Sequence, residues 1–528
     1  MTEEEEYLQL QHLRSKATEL FIREEWKDSI DAYTHFINLC THQIQISHSH
    51  PEKLRKSLCI ALCNRAEASS RLRDFHCALQ DCDHALNLDP THFKTLVCKG
   101  KILLGLNRYS MALECFRIAL LDPQAAGNSE TLNGYFQKCK KFEFLSRTGS
   151  IDLSDWVANG FPGKAPELAE HIGAVEIKKS EISGRGLFAT KNIDAGSLIL
   201  VTKAIAIERS LLNEGKDLSE DAQLVIWKNF VDKVSEFIRK CHKTRSLIGR
   251  LSIGENEDGL EVPDVDLFRP QNVEDVESIE EIDMVKLLAI LDVNSLTEDA
   301  VSANILRKQN DCYGVGLWLL PAFINHSCCP NARRLHVGDY LIVHASKDLK
   351  AGEEITFAYL DPLSPLNKRK EMSVTWGIHC KCRRCKFEGE IFSKQEMKEI
   401  EIGVERGLLD VGGVVYKLED QMKRWKVRGK EKGFLRASFW SAYSEAYRSE
   451  RSMKRWGRRI PALDAVVDSV TDVVGGDHRL LRILVEEMKK NGGGHVEMEK
   501  VFKLAKDVYG KVVKKQAMRK ILELCIAD

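Results

Sequence analysis

Two pieces of this chain, some fifty residues apart, carry thiols that must meet if both belong to one site. That return of the chain constrains the fold more than any other feature of the sequence. The first piece reads Asn325-His326-Ser327-Cys328-Cys329-Pro330-Asn331, and the second Cys380-Lys381-Cys382-Arg383-Arg384-Cys385, three thiols in a six-residue span. Lys381, Arg383 and Arg384 between the thiols argue against burial of this loop. Metal binding explains such a turn better than three unrelated core cysteines. A structural zinc site takes four tetrahedral ligands. The loop offers three, and Cys328 or Cys329 can supply the fourth. Between the two pieces lies Gly352-Glu353-Glu354-Ile355-Thr356-Phe357-Ala358-Tyr359.

A chain of 528 residues is too long for one core, so two to four domains are expected. Lys+Arg and Asp+Glu both number 78, and this balance gives no general attraction to nucleic acid or anionic membrane. The longest apolar runs, such as Tyr313–Ile324, fall far short of a membrane span. The acidic start, Met1-Thr2-Glu3-Glu4-Glu5-Glu6, is unlike a signal peptide. The 16 cysteines are therefore expected in a reducing compartment, nucleus and/or cytoplasm, most of them as small buried apolar residues.

The N-terminal part repeats itself. Ala66, Ala78, Cys82, Ala85 and Pro90 are answered 34 positions later by Gly100, Ala112, Phe116 and Ala119, with Pro123 one short. Small residues at this period are the tetratricopeptide (TPR) signature, because they let the two helices of a repeat approach closely. An earlier copy fits Ala17, Ser29, Tyr33 and Phe36 if a loop is inserted over roughly Thr41–Lys56. Gly and Pro residues then mark Ser146–Gly173 as a linker. Strands are predicted over Ala174–Lys178, Gly186–Ala189, Leu198–Ile207, Tyr340–His344 and Glu354–Tyr359. Helix is predicted over Asp217–Leu251, Met284–Gln309 and most of the chain beyond Cys385. Glu255–Asp283, with twelve acids and one base, reads as a solvated loop. The basic clusters Lys423–Lys432 and Lys454–Arg459 read as solvated helix faces.

Ser183-Gly184-Arg185-Gly186-Leu187-Phe188-Ala189 is a glycine-bracketed turn entering a strand, which allows close backbone approach to a ligand. Gly184–Leu187, Asn325–Asn331, Gly352–Tyr359 and the Cys380/Cys382/Cys385 tail, taken in this order, resemble the SET-domain protein lysine methyltransferases over about residues 173–388. The insert near 208–300, with Trp376 before the cysteine tail, looks most like the SET-and-MYND branch. The MYND zinc module is missing, since no Cys/His cluster lies between Ala189 and the insert. With repeats in front, the arrangement is similar to TPR-containing SET proteins.

The resemblance implies an α+β multidomain chain: TPR repeats over 1–147, a linker over 148–172, a β-rich SET domain over 173–361 with a helical and acidic insert at about 208–309, a zinc-binding post-SET segment over 362–388 and a helical region over 389–528. It implies S-adenosyl-L-methionine as methyl donor and a structural zinc ion. Gly184, Arg185, Gly186 and Leu187 would line the donor, with Asn325 and His326 holding its polar groups and Tyr359 beside it. Tyr359 would be the catalytic tyrosine, and Phe357 would line the lysine channel. Cys328, Cys380, Cys382 and Cys385 would hold the zinc. Ala358 stands where Asp is frequent, and Cys329 where Asp or Glu is common. The implied activity is lysine methylation of a histone or other protein, with the repeats binding a protein or peptide partner, and no nucleic acid or membrane. Two other readings are an adaptor whose SET region has lost activity and a chaperone-binding TPR protein. For the latter, Arg14, Asn64 and Lys94 match a carboxylate clamp, while Thr18 and Cys98 break it.

Overall fold

The computed structural model describes residues 3–46, 51–210, 220–254, 259–272, 281–298, 313–375, 377–391, 395–405, 410–490 and 495–527. They divide into two compact units. One is Met1–Thr148 with Ser235–Ser246 and Arg269–Glu280; the other is Gly149–Val234, Leu247–Phe268 and Glu281–Asp528.

The first unit is a stack of helical hairpins: α1 (Glu3–Ile22) with α2 (Trp26–Ile46), α3 (Pro51–Arg71) with α4 (Phe75–Leu88), α5 (Phe93–Gly105) with α6 (Tyr109–Ala119), then α7 (Ser129–Thr148). The turn inside each hairpin places one non-glycine residue in the left-handed region: Glu24, Arg73 and Asn107. Arg73 and Asn107 lie 34 residues apart, the period of the sequence repeat. Ala17, Ser29, Ala66, Ala78, Cys82, Ala85, Ala112, Phe116 and Ala119 are all fully buried. A Cβ at Gly100 would lie 2.8 Å from the Phe116 ring, so a side chain there would push the α5–α6 hairpin apart. Within the loop expected over Thr41–Lys56, residues 41–46 and 51–56 are helix, and 47–50 lie outside the described residues. Ile44 and Leu54 pack against the hairpin core, and Pro51 opens α3 at the position where its missing N–H costs nothing. Segments of the insert belong to this unit. Arg108 Nε donates to Pro270 O at 3.2 Å, and His76 stacks on His242 with ring centroids 5.9 Å apart. Asn64 donates its amide to the Tyr33 hydroxyl at 2.8 Å, directing it inside the stack.

The second unit is built on short strands: β1 (His171–Ile172), β2 (Val175–Lys179), β3 (Arg185–Ala189), β4 (Leu198–Lys203), β5 (Ala206–Ser210), β6 (Leu296–Thr297), β7 (Tyr313–Leu317), β8 (Asn325–His326), β9 (Ala332–Val337), β10 (Tyr340–Ala345) and β11 (Thr356–Phe357). They form sheets in the orders β1-β4-β10-β9, β5-β7-β6, β2-β3 and β11-β8. In the largest, antiparallel sheet Ile342 stands opposite both Val201 and Leu335. These three join one continuous core with the helices that follow residue 410, including Leu418, Leu435, Val467, Leu481 and Leu504.

Three expectations change in detail. The strand predicted over Leu198–Ile207 is two, because Ala204 N turns to Asp339 O and Ile205 N to Leu317 O, passing the chain to another sheet. The helix predicted over Met284–Gln309 ends at Asn294 and runs into β6, with 299–312 outside the described residues. Within Ser146–Gly173, the helix Ser154–Ala158 and the side chains of Ile151, Leu153, Val157 and Leu168 are part of the core. Trp376 and parts of the acidic loop (255–258, 273–280) also lie outside the described residues. No helix among the described residues is long and apolar enough to cross a membrane.

Candidate functional site

The site forms where two very short strands meet in parallel. Asn325 pairs with Thr356, and His326 with Phe357. Asn331 fixes that register. Its amide donates to Glu354 O at 2.8 Å, and its Oδ1 accepts from Thr356 N at 2.8 Å. The strand expected over Glu354–Tyr359 shrinks to Thr356–Phe357 because only these residues face β8. The chain then bends, and Tyr359 comes to lie against His326. Tyr359 N–H donates to His326 Nδ1 at 3.0 Å. A backbone amide can only donate, so the imidazole proton sits on Nε2, which faces Cys328 Sγ at 3.3 Å. His326 thus bridges the tyrosine and the cysteines. The Tyr359 hydroxyl donates to Ile324 O at 2.7 Å, and burial holds its pKa well above the usual tyrosine range. The Phe357 ring is fully buried, 5.4 Å from that of Tyr359, with the Arg334 guanidinium 5.3 Å from its face.

The glycine turn is drawn to the same place. Asn325 Nδ2 lies 3.1 Å from Ser183 O, 3.2 Å from Arg185 O, 3.2 Å from Ser180 Oγ and 2.8 Å from Glu354 Oε1. Ser180 Oγ donates to the same carboxylate at 2.8 Å. Gly184 has φ +46°, a left-handed turn, and a Cβ on Gly186 would stand 2.4 Å from Glu354 Oε1. The Arg185 side chain turns away, donating to Arg250 O at 2.7 Å and Glu261 O at 3.1 Å. Leu187 is core. Of Gly184–Leu187, it is the backbone that the turn presents. Backbone carbonyls, a carboxylate, an amide and two aromatic rings are together a suitable setting for a polar, cationic small molecule.

Next to this lies the cysteine cluster. The sulfurs of Cys328, Cys380, Cys382 and Cys385 all lie within 4.8 Å of one another. Cys328 Sγ is 3.8 Å from Cys380 Sγ and 3.5 Å from Cys385 Sγ. A tetrahedral Zn–S₄ site with bonds of about 2.3 Å has edges of about 3.8 Å, so the four thiols could hold a zinc ion. Hydrogen bonds from Cys380, then Cys385 and His326, help to draw the Cys328 thiol below its ordinary range. Cys385 N–H points at Cys382 Sγ at 3.5 Å, and Arg369 donates to Cys385 Sγ at 3.3 Å, contacts that would suit thiolate ligands of a metal ion. The adjacent Cys329 stands outside the group, its thiol pushed up by a contact with Cys382 and by burial.

Charge does not keep every residue of the cysteine loop exposed. Lys381 and Arg383 are exposed, but Arg384 is fully buried and paired with Glu388 at 2.8 Å. The i, i+4 spacing of that pair in the helix Arg383–Ile391 was the available signal. Ser180 and Glu354 were likewise missed. Glu354 sits inside Gly352–Tyr359, but nothing in the sequence pairs it with Ser180.

These features together define a SET domain, and residues 184–360 match the family model of that description. Three curated relatives are similar in sequence. A protein named methyltransferase from Gibberella zeae is 25% identical over 392 residues, 69% of this chain and 51% of its own. Histone-lysine N-methyltransferase SET5 from Eremothecium gossypii is 40% identical over 73 residues, 14% of this chain and 15% of its own. Histone-lysine N-methyltransferase SMYD3 from Homo sapiens is 31% identical over 114 residues, 21% of this chain and 25% of its own. The chain therefore spans about half the length of the first relative and a quarter or less of the other two.

Proposed function

We propose that the chain is a protein-lysine N-methyltransferase using S-adenosyl-L-methionine. The observation that carries this reading is the parallel β8–β11 pair, which gathers the glycine turn, Asn325 and Tyr359 at one point beside the cysteine cluster. The bound donor supplies an electrophilic methyl group on a sulfonium. The backbone of Gly184–Leu187, with Asn325 and the His326 backbone, would hold it.

The chain's own task is to present a neutral lysine amine in line. The Tyr359 proton is directed to Ile324 O, which leaves the oxygen's lone pairs to accept an amine N–H. Phe357 and Tyr359 form an aromatic wall, which favours a nearby cationic centre by about 0.5–2 kcal/mol per ring and excludes water. Arg334 above Phe357, together with desolvation, disfavours a charged lysine and lowers its pKa toward neutrality. Holding the amine in a near-attack position contributes up to roughly 7–11 kcal/mol. Zinc on Cys328, Cys380, Cys382 and Cys385 would be structural, closing the wall behind His326. The repeats would bind a protein or peptide partner and so select the substrate.

The test is transfer of a labelled methyl group to cell-extract proteins. Tyr359→Phe removes one hydroxyl and is expected to lower transfer about 10²-fold or more, with donor binding and zinc content kept. A fully active variant would refute the assignment. A wild type that binds no donor in calorimetry would leave an adaptor.

A further inference from the structure

The five residues that leave Tyr359, Leu360 to Ser364, are held by three arginines from three different places. Arg479, at the start of the helix His478–Lys490, makes a bidentate pair with Asp361 at 2.9 and 2.7 Å. Arg384, from the cysteine loop, donates to Pro362 O at 2.7 Å. Arg369, from the helix Leu366–Thr375, donates to Ser364 O at 3.0 Å. Arg369 and Arg384 share the Glu388 carboxylate, and all three side chains are 0–2% exposed.

Two buried guanidinium groups against one carboxylate leave an uncompensated positive charge, which is costly in a protein interior. The same two residues also touch the cysteine cluster. Arg384 donates to Cys328 O at 3.3 Å, and Arg369 to Cys385 Sγ at 3.3 Å. Four thiolates on a divalent ion carry net negative charge and offset the surplus. Arg384 also donates to Ser438 Oγ at 2.8 Å, and Ser438 donates to Glu388 at 2.7 Å, extending the network to the C-terminal helices.

We propose that Arg369, Arg384 and Arg479 are positioning residues for Tyr359, making its placement depend on the metal cluster on one side and on the C-terminal helices on the other. The proposal rests on the reading of Tyr359 above.

The test uses the full chain labelled with 3-fluorotyrosine, with the Tyr359 fluorine resonance identified by its loss in Tyr359→Phe. Arg479→Gln and Asp361→Asn are each expected to shift or broaden that resonance. Each is also expected to lower turnover at saturating donor by about tenfold or more, with donor affinity and zinc content kept. The double variant should cost less than the sum of the two single ones, since both remove the Asp361–Arg479 pair, while Arg479 also pairs with Asp477 and Asp361 also accepts from Leu363 N and Ser364 Oγ. Arg384→Lys should shift the same resonance and release zinc to a chelator faster than wild type. If that variant does not fold, Ser438→Ala, which removes one hydroxyl of the network, should still move the resonance. An unmoved resonance and unchanged turnover in Arg479→Gln and Asp361→Asn would overturn the proposal. A moved resonance alongside a fully active Tyr359→Phe would instead overturn the catalytic reading and leave the clamp standing.

Discussion

Asn325 directs a single amide nitrogen at the glycine turn and at Glu354, so its value lies in joining two segments rather than in one strong bond. Asn325→Ala would free the turn from the strand. Donor affinity should fall by about 1–3 kcal/mol, the cost of leaving such partners unmatched. Calorimetry on the folded variant checks this, and unchanged affinity would remove the segment from the donor site. The two adjacent cysteines give a second test at this scale. Cys328 lies in the group of four and Cys329 outside it. Elemental analysis should find one zinc per chain in wild type and in Cys329→Ser, and none in Cys328→Ser. Spacing could not separate the pair, because two neighbouring thiols satisfy the same arithmetic. The strand–bend geometry after His326 does separate them.

Strand β10 carries a histidine that has no room for a charge. His344 is fully buried, its Nε2 lies 3.4 Å from Asp507 O, and a Cβ on Gly510 would stand 2.9 Å from its ring. Burial first, and the charge of Arg333 second, push its pKa down to about 4. An unfolded histidine titrates near 6.5, so on acidification the unfolded chain takes a proton that the folded one refuses. The stabilisation is complete above about pH 6.5 and is lost as pH falls toward 4, on the order of 3 kcal/mol in all. Thermal melts of wild type and His344→Leu at several pH values should show a shallower acid slope in the variant. Equal slopes would place the acid lability elsewhere.

What the sequence made legible at this level was whatever depends on neighbours in the chain. The Ala66, Ala78 and Cys82 spacing revealed the hairpins because helix packing repeats locally. The fully buried state of Arg384 was hidden, because its compensation comes partly from Cys328 O, Pro362 O and Ser438, which only the tertiary fold brings near.

For the molecule as a whole, the helical array and the SET-bearing unit are separately compact. Deleting Met1–Thr148 should leave donor affinity unchanged in calorimetry while reducing methylation of intact protein substrates. The cut also strips His76 from His242 and Arg108 from Pro270, so the truncated protein is expected to aggregate more readily. Equal loss of donor binding would mean that the array is required for the SET core itself. The other end of the chain behaves differently. Leu153 N donates to Val512 O at 2.8 Å, Lys511 N to Gly196 O at 2.7 Å, and Lys514 N to Ser154 Oγ at 2.8 Å. Residues near 511–514 therefore stitch together segments made more than three hundred residues earlier. During synthesis these contacts cannot form until residues 511–514 have emerged, long after the segments they hold. In a gene of this kind, a stop codon shortly before position 511 would not trim a dispensable tail. It would remove the contacts that hold Leu153, Ser154 and Gly196, and the truncated chain is expected to lose cooperative unfolding in a thermal melt.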